Sequence, residues 1–370
     1  MSLDVSLLQT SFELKRLSLH NRLAVAPMTR VTATPEGLPT NAMQRYYGRF
    51  AAGGFGLVIT EGSFIDEAFS QTYENQPGMA TLAHANAWRP LTAQLQAAGT
   101  RVVAQLQHAG ALSQFNRHKP GQTIAPSPVQ PRGHQMPFYR GEGPYPVPRE
   151  ITDEEIADVV ASFGRAAALA VGHAGFDGVE IHGANGYLLD QFLTGHTNVR
   201  ADRWGSALQQ RLEAIVETIK AVRTAVGSGV PVGIRLSQGK VNDFTHKWAE
   251  GEEGAEAIFG TLAATGLDYI HLTEFEAWKP AFEVKGPTLV QLARRFAKDT
   301  TIIANGGLHD VSRALEVLEH GADIIALGRG ALSNPDWPQK VQQGIALEEF
   351  DRSILGPIAD IKASELAKAA

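Results

Sequence analysis

Cysteine is absent from the 370 residues. That single absence excludes disulfides, iron–sulfur clusters, thiolate zinc sites and a cysteine nucleophile together. Long apolar runs are missing too: none approaches the roughly 18–20 residues of a membrane-spanning helix. The opening stretch "MSLDVSLLQTSFELKRLSLHNR" has no basic segment followed by an apolar one, so no secretory signal is expected. No block of like charge occurs, and a formal charge of −6 offers no basic footprint for nucleic acid or an anionic membrane. The expectation is a cytoplasmic protein whose partner is a small molecule, with neither nucleic acid nor membrane involved.

What is present is core-forming material. Hydrophobic residues make up 44% and charged residues 19%, which allows a large buried interior. Short runs rich in Val and Ile recur at 23–27, 57–62, 101–107, 178–182, 231–237, 269–274, 301–307 and 324–330. They do not alternate strictly, as expected of parallel strands buried on both faces. Helix-like segments lie between them. The third starts at Thr152, with Glu155 three residues on as a capping box, and is expected to end near Gly175. Several helices are followed by glycine just before the next strand, at Gly99, Gly266 and Gly321. Eight such units predict a (β/α)8 TIM barrel, treated as a single domain over residues 1–370. A doubly wound open sheet is the other possibility, but it would usually carry a G-x-G-x-x-G turn after an early strand, and none stands there.

One segment breaks the rhythm. Residues 111–149, which include "GQTIAPSPVQPRGHQMPFYRG", run on without an evident element and are rich in Pro and Gly. A connection of that length inside a compact domain is functional or disordered. Because it leaves the C-terminal end of the third strand, it is expected to cap the barrel mouth.

Active sites of such barrels lie at the C-terminal strand ends. Two features stand out there. Strands seven and eight end in "ANGG" and "LGRG", and glycine lets backbone N–H groups approach a phosphate while Arg329 adds charge. The mouth also holds amides and guanidinium groups but few carboxylates. It has neither an H-E-x-x-H pattern nor an acidic cluster for a metal. Glu61 and Glu274 are the only strand-end carboxylates that could serve a glycosidase. The stretch "GVEIHGANGYLLDQF" places an imidazole, a carboxamide and a phenol within six positions at one strand end. A turn does not need all three.

At this point the chain resembles a known family. "APMTR", "GGFGLVITEG", "VAQLQHAG", "GVEIHGANGYLLDQFL", "GIRLS", "IIANGGL" and "ALGRGALSNPDWP" are similar, in order and over nearly the whole chain, to the signatures of the Old Yellow Enzyme family of FMN-dependent NAD(P)H oxidoreductases. The resemblance implies non-covalent FMN at the barrel mouth and NADPH or NADH as reductant. It implies phosphate contacts from Gly307, Gly328 and Arg329, and a flavin pyrimidine edge near Arg235 and Gln105. Pro27, Met28 and Thr29 would run along the flavin, with Thr29 donating to its C4 oxygen, and Gly62 would touch the ring system. His182 and Asn185 would hold a substrate carbonyl oxygen while hydride passes from flavin N5 to Cβ of an activated alkene. Tyr187 would protonate Cα.

Three positions depart from the family pattern. Thr29 stands where one branch has cysteine. Gln107 occupies a substrate-wall position that is aromatic in some members. "QGKVNDFTHKW" replaces a proline-containing continuation after "GIRLS". The larger iron–sulfur relatives are disfavoured by the lack of cysteine and by a chain ending at Ala370. The alternative function is a flavin barrel that reduces quinones or nitro compounds, or that has no turnover.

Overall fold

The computed structural model describes residues 4–367. Eight strands close into a barrel: β1 (Leu23–Val25), β2 (Leu57–Ile59), β3 (Arg101–Gln107), β4 (Gly178–Asn185), β5 (Val232–Lys240), β6 (Tyr269–Thr273), β7 (Thr301–Asn305) and β8 (Ile324–Leu327). Every neighbouring pair is parallel, β8 pairs β1, and β2 pairing with β3 completes the circle. This is the (β/α)8 TIM barrel expected from the Val/Ile runs. Five runs overreach, the sixth and seventh by only one and two residues past Thr273 and Asn305. Strand pairing in β1 stops at Val25. The second run breaks after Ile59, and Ser63–Phe64 pairs separately with β3. The eighth stops at Leu327, where a short helix, Arg329–Ser333, begins.

Five α-helices start where a side chain can satisfy one of their first N–H groups. Thr40, Thr81, Thr152, Thr288 and Asp310 each accept from a backbone N–H of the first turn. The Thr152–Glu155 capping box is present, and its helix, Asp153–Gly172, ends one turn before Gly175. Gly99, Gly266 and Gly321 have φ of 84°, 76° and 115°, a region that L side chains rarely enter.

Period-two alternation decides what fills the barrel. At the bottom the inward residues are Leu57, Val103, Tyr269, Ile303 and Ile324, all fully buried. Gly233 gives Tyr269 its room, since a Cβ there would lie 2.2 Å from the ring. A hairpin of three-residue strands, Phe12–Leu14 and Leu17–Leu19, plugs this end with Leu14, Leu17 and Leu19. The sequence reading contained no such plug. Higher up, the inward positions turn polar: Gln105 and Glu180, then His182, Arg235, His271, Thr273 and Asn305. The strands therefore carry an apolar floor and a polar ceiling.

The long segment after β3 covers that ceiling. Within it Ile124–Ala125 pairs with Arg149–Glu150. It is pinned to the loop after β5 by Arg132 to Asp243 at 2.9 Å and by Asn242 Nδ2 to the Arg132 carbonyl at 3.1 Å. Among the described residues no helix is long and apolar enough to cross a membrane.

The end of the chain returns to the same face. Glu365, on the helical turn Ala363–Ala367, is buried and receives Arg30 Nη1 at 2.7 Å and Nη2 at 2.5 Å. Arg49 donates to the Glu365 carbonyl at 2.6 Å. Burial alone would raise the Glu365 carboxyl, but Arg30's hydrogen bond and charge outweigh it and hold the group below its usual range. A depressed folded-state pKa adds stability above the ordinary glutamate value of about 4.3. That stability is lost as pH falls through the folded value. Glu365→Ala strands two buried guanidinium groups and should cost about 3–5 kcal/mol at pH 7. Urea unfolding measures this, and the gap from the parent should narrow in acid. A cost within about 1 kcal/mol, typical of an exposed pair, would remove this clamp from the account.

Candidate active site

A cavity of about 410 Å³ opens at the C-terminal end of the barrel, within the usual range of ligand sites. Every site residue expected from the sequence lines it except one: Pro27, Met28, Thr29, Gln105, Gln107, His182, Asn185, Tyr187, Arg235, Gly307, Gly328 and Arg329 are all on its wall. Gly62 is not. It lies behind Gln107, where a Cβ would come within 1.9 Å of Gln107 Oε1, and its carbonyl accepts from Gln76 Nε2 at 2.7 Å. Gly62 therefore makes room for the Gln107 side chain.

The end of β4 supplies three side chains through one strained turn. Asn185 has φ 63° and Gly186 φ 88°, a left-handed pair that only glycine adopts freely. Side chains hold it there. Ser237 Oγ accepts from Asn185 N–H at 2.8 Å, Asp190 accepts from Gly186 N–H at 2.6 Å, and Gln191 Nε2 donates to the Gly186 carbonyl at 2.7 Å. Lys240 reaches Asp190 at 2.5 Å, both buried. The bend delivers Tyr187 to the N-cap position of the helix Leu188–Leu193.

The protonation states follow from the contacts. His182 Nδ1 faces the backbone N–H of Ala184 at 3.3 Å. An N–H can only donate, so Nδ1 accepts and the ring proton sits on Nε2. Burial, then Arg235 and His271, push the imidazole well below its ordinary pKa, so it is neutral at pH 7 with one N–H. The Tyr187 and Tyr73 hydroxyls are 2.7 Å apart. Burial pushes Tyr187 up to about 12 against the opposing effects of Tyr73 and Arg235, so the phenol keeps its proton. Its ring packs edge-on against His182, centroids 4.9 Å apart.

Arg235 is buried, and burial lowers it to about 10, still cationic at neutral pH. Its Nη2 donates to Thr273 Oγ1 at 3.1 Å and Asn305 Oδ1 at 3.0 Å, while its Nε has no partner. A polar ring edge at the cavity wall would supply one, which fits the pyrimidine edge of FMN. On the far side, Gly307 and Gly328 meet the exposed Arg329. A Cβ at Gly307 would crowd the Trp278 ring at 2.8 Å, so that glycine is required by its own packing. At Gly328 the space is open, with only Met28 Sδ at 3.7 Å. Open backbone beside a guanidinium suits a phosphate.

Several wall residues escaped the sequence reading. Tyr73, from the loop after β2, stacks on Tyr139 of the covering segment at 4.4 Å. Tyr139 in turn donates to the Thr29 carbonyl at 3.2 Å. Met136 and Phe138 accompany it, and Val241 and Phe244 come from the loop after β5. The signal for Tyr139 was its place in the long segment; Tyr73 carried none. Of the two strand-end carboxylates only Glu274 lines the cavity. Glu61 is buried, pushed up to about 7 by that burial, and accepts from Arg30 N–H at 2.9 Å. The carboxylate pair of a glycosidase is not assembled.

The sequence model of the NADH:flavin oxidoreductase / NADH oxidase family matches residues 8–348. 12-Oxophytodienoate reductase 2 of Arabidopsis thaliana is 32% identical over 355 residues, covering 94% of this chain and 91% of the relative. A Leishmania infantum protein bearing the name "probable flavin mononucleotide-dependent alkene reductase" is 32% identical over 342 residues, covering 90% and 89%. Morphinone reductase in complex with tetrahydroNAD superimposes with a TM-score of 0.82 at 32% identity, covering 94% of this chain and 93% of that one. The Old Yellow Enzyme homologue of Zymomonas mobilis does so with 0.86 at 27%, covering 98% and 99%. With a matching family model along most of its length and these relatives, the chain belongs to the Old Yellow Enzyme family of NADH:flavin oxidoreductases and is an NAD(P)H-dependent FMN oxidoreductase.

Proposed function

We propose that this enzyme reduces the C=C bond of α,β-unsaturated carbonyl compounds and nitroalkenes. FMN, when bound, supplies the two-electron chemistry, taking hydride from NADPH or NADH and passing it to Cβ of the alkene. Arg235 and Gln105 would hold its pyrimidine edge, and Gly307, Gly328 and Arg329 its phosphate. Pro27, Met28 and Thr29 would lie along the rings, with the Thr29 hydroxyl donating to the C4 oxygen. Gln107, whose Nε2 is committed to Thr72 Oγ1 at 2.7 Å, gives the substrate pocket a polar wall.

The observation that carries this reading is the proton inventory at the end of β4. His182 offers one N–H from Nε2, and the Asn185 carboxamide offers another. Two donors at one oxygen stabilise the negative charge that develops there as Cβ is reduced. Tyr187 holds a proton at its hydroxyl across the neutral range, and Tyr73 orients that hydroxyl. A positioned phenol can then protonate Cα. The names of the Arabidopsis and Leishmania relatives, both reductases and one an alkene reductase, support the same substrate class.

Arg329→Gln removes a charge-assisted phosphate contact, of the kind worth about 1.5–3 kcal/mol. FMN affinity should fall roughly 10- to 150-fold, read by fluorescence titration of the apoprotein. Unchanged affinity would move the phosphate elsewhere.

Tyr187→Phe separates the two halves of the reaction. Reduction of bound FMN by NAD(P)H needs no proton from Tyr187 and should stay near the parent rate. Reduction of 2-cyclohexenone should fall by roughly 10²- to 10⁴-fold. Quinone reduction, which needs no proton at carbon, should survive. Stopped-flow kinetics of each half decide it; a parent-like rate with 2-cyclohexenone would assign the acid to another group.

A further inference from the structure

Beneath the cavity lies a buried ionisable group for which the reaction has no evident use. Glu180 stands two residues before His182 on β4, on the same inward face, and is fully buried. One carboxylate oxygen accepts from Gln105 Nε2 at 2.8 Å and the other meets His271 Nδ1 at 2.9 Å. His271 is fully buried as well, and its Nε2 has no partner. Interior layers of these barrels are ordinarily filled by branched apolar side chains, so a carboxylate here costs desolvation free energy without improving the packing.

Two consequences follow from the contacts. A carboxylate can only accept, so the Gln105 amide must turn its nitrogen toward Glu180. The orientation of a cavity-wall residue is thereby fixed from below. The second consequence is electrostatic. Arg235 is a neighbouring buried cation, and no carboxylate lies within ion-pair distance of it among the described residues. Glu180's field reaches it nonetheless and favours its charged form. Electrons added to a cofactor in the cavity are stabilised by Arg235 and opposed by Glu180 through the same poorly screened interior.

We propose that Glu180 is a positioning and charge-setting residue for FMN: it orients Gln105 from below and holds the cofactor's reduction potential lower than Arg235 alone would set it. The effect favours electron delivery to the acceptor at some cost to reduction by NAD(P)H. It rests on FMN in this cavity and is independent of which acceptor is used.

The test is the midpoint potential of the FMN-loaded enzyme, measured by dye-equilibrated titration. Glu180→Gln keeps the shape and removes the charge. Its potential should shift upward, with reduction by NAD(P)H faster and reoxidation by 2-cyclohexenone slower. His271→Gln leaves the carboxylate in place and should stay close to the parent potential. Loosened packing would slow both halves together and would not separate the two variants. If Glu180→Gln does not load FMN, Glu180→Leu/His271→Leu removes the pair together, a replacement that buried polar pairs often tolerate, and the same upward shift is expected. An unchanged or lowered potential on loss of the carboxylate, or an equal rise in His271→Gln, overturns the proposal.

Discussion

The left-handed turn at Asn185 and Gly186 is the constraint from which the rest of the site follows. Two consecutive residues with φ near 60–90° bend β4 sharply where an ordinary strand would run on. Asn185 pays a backbone penalty of order 1–3 kcal/mol to be there, and it persists because its surroundings over-determine it. Ser237, Asp190, Gln191 and the Val241 N–H, which donates to the Asn185 carbonyl at 3.1 Å, satisfy the turn's peptide groups. The motif "HGANGYLLDQF" thus divides by role. His182, Asn185 and Tyr187 face the cavity, while Gly186, Asp190 and Gln191 make the bend that places them.

The site sits at one end of the barrel because the strands change character along their length. At the floor, Leu57, Val103, Tyr269, Ile303 and Ile324 pack against the hairpin leucines. One or two pleats higher, the same inward positions carry Gln105, Glu180, His271, Arg235 and Asn305. Polar side chains at that depth are tolerated because they answer one another: Gln105 with Glu180, Glu180 with His271, Arg235 with Thr273 and Asn305. Two of their nitrogens stay unanswered, His271 Nε2 and Arg235 Nε, and Arg235 is the one of the two residues that lines the cavity.

How much of this was legible in the sequence depended on the range of the interaction. The barrel was readable because each strand is a local Val/Ile run and several helix starts, Thr152 among them, carry their own Thr or Asp cap. Strand-end residues were readable because the fold sends all strand ends to one face. Gly62 has a second reason to be glycine that only the fold reveals: it stands at a strand end and makes room for Gln107, and sequence does not tell a glycine that faces a ligand from one that faces a side chain. The floor hairpin was missed because three-residue strands leave no periodic signal. Tyr73 and Glu365 were missed because their partners, Tyr187 and Arg30, lie 114 and 335 positions away. A carboxylate near the end of the chain gives no local hint that it closes a clamp on the loop after β1.

That loop ties the covering segment and the chain end to the chemistry. Arg30 is held by Glu365 and by the Ala359 and Asp360 carbonyls. One residue earlier, the Thr29 carbonyl receives the Tyr139 hydroxyl from the covering segment. Tyr139 packs on Tyr73, and Tyr73 reaches the Tyr187 hydroxyl. The segment that closes the mouth is therefore in mechanical contact with the group assigned to proton delivery. A displacement of that segment would release Tyr73's ring and with it the partner that orients the Tyr187 proton. Covering of the mouth and the orientation of the Tyr187 hydroxyl are thus two aspects of one packing arrangement. The residues that enforce it come from three parts of the chain that no local pattern connects.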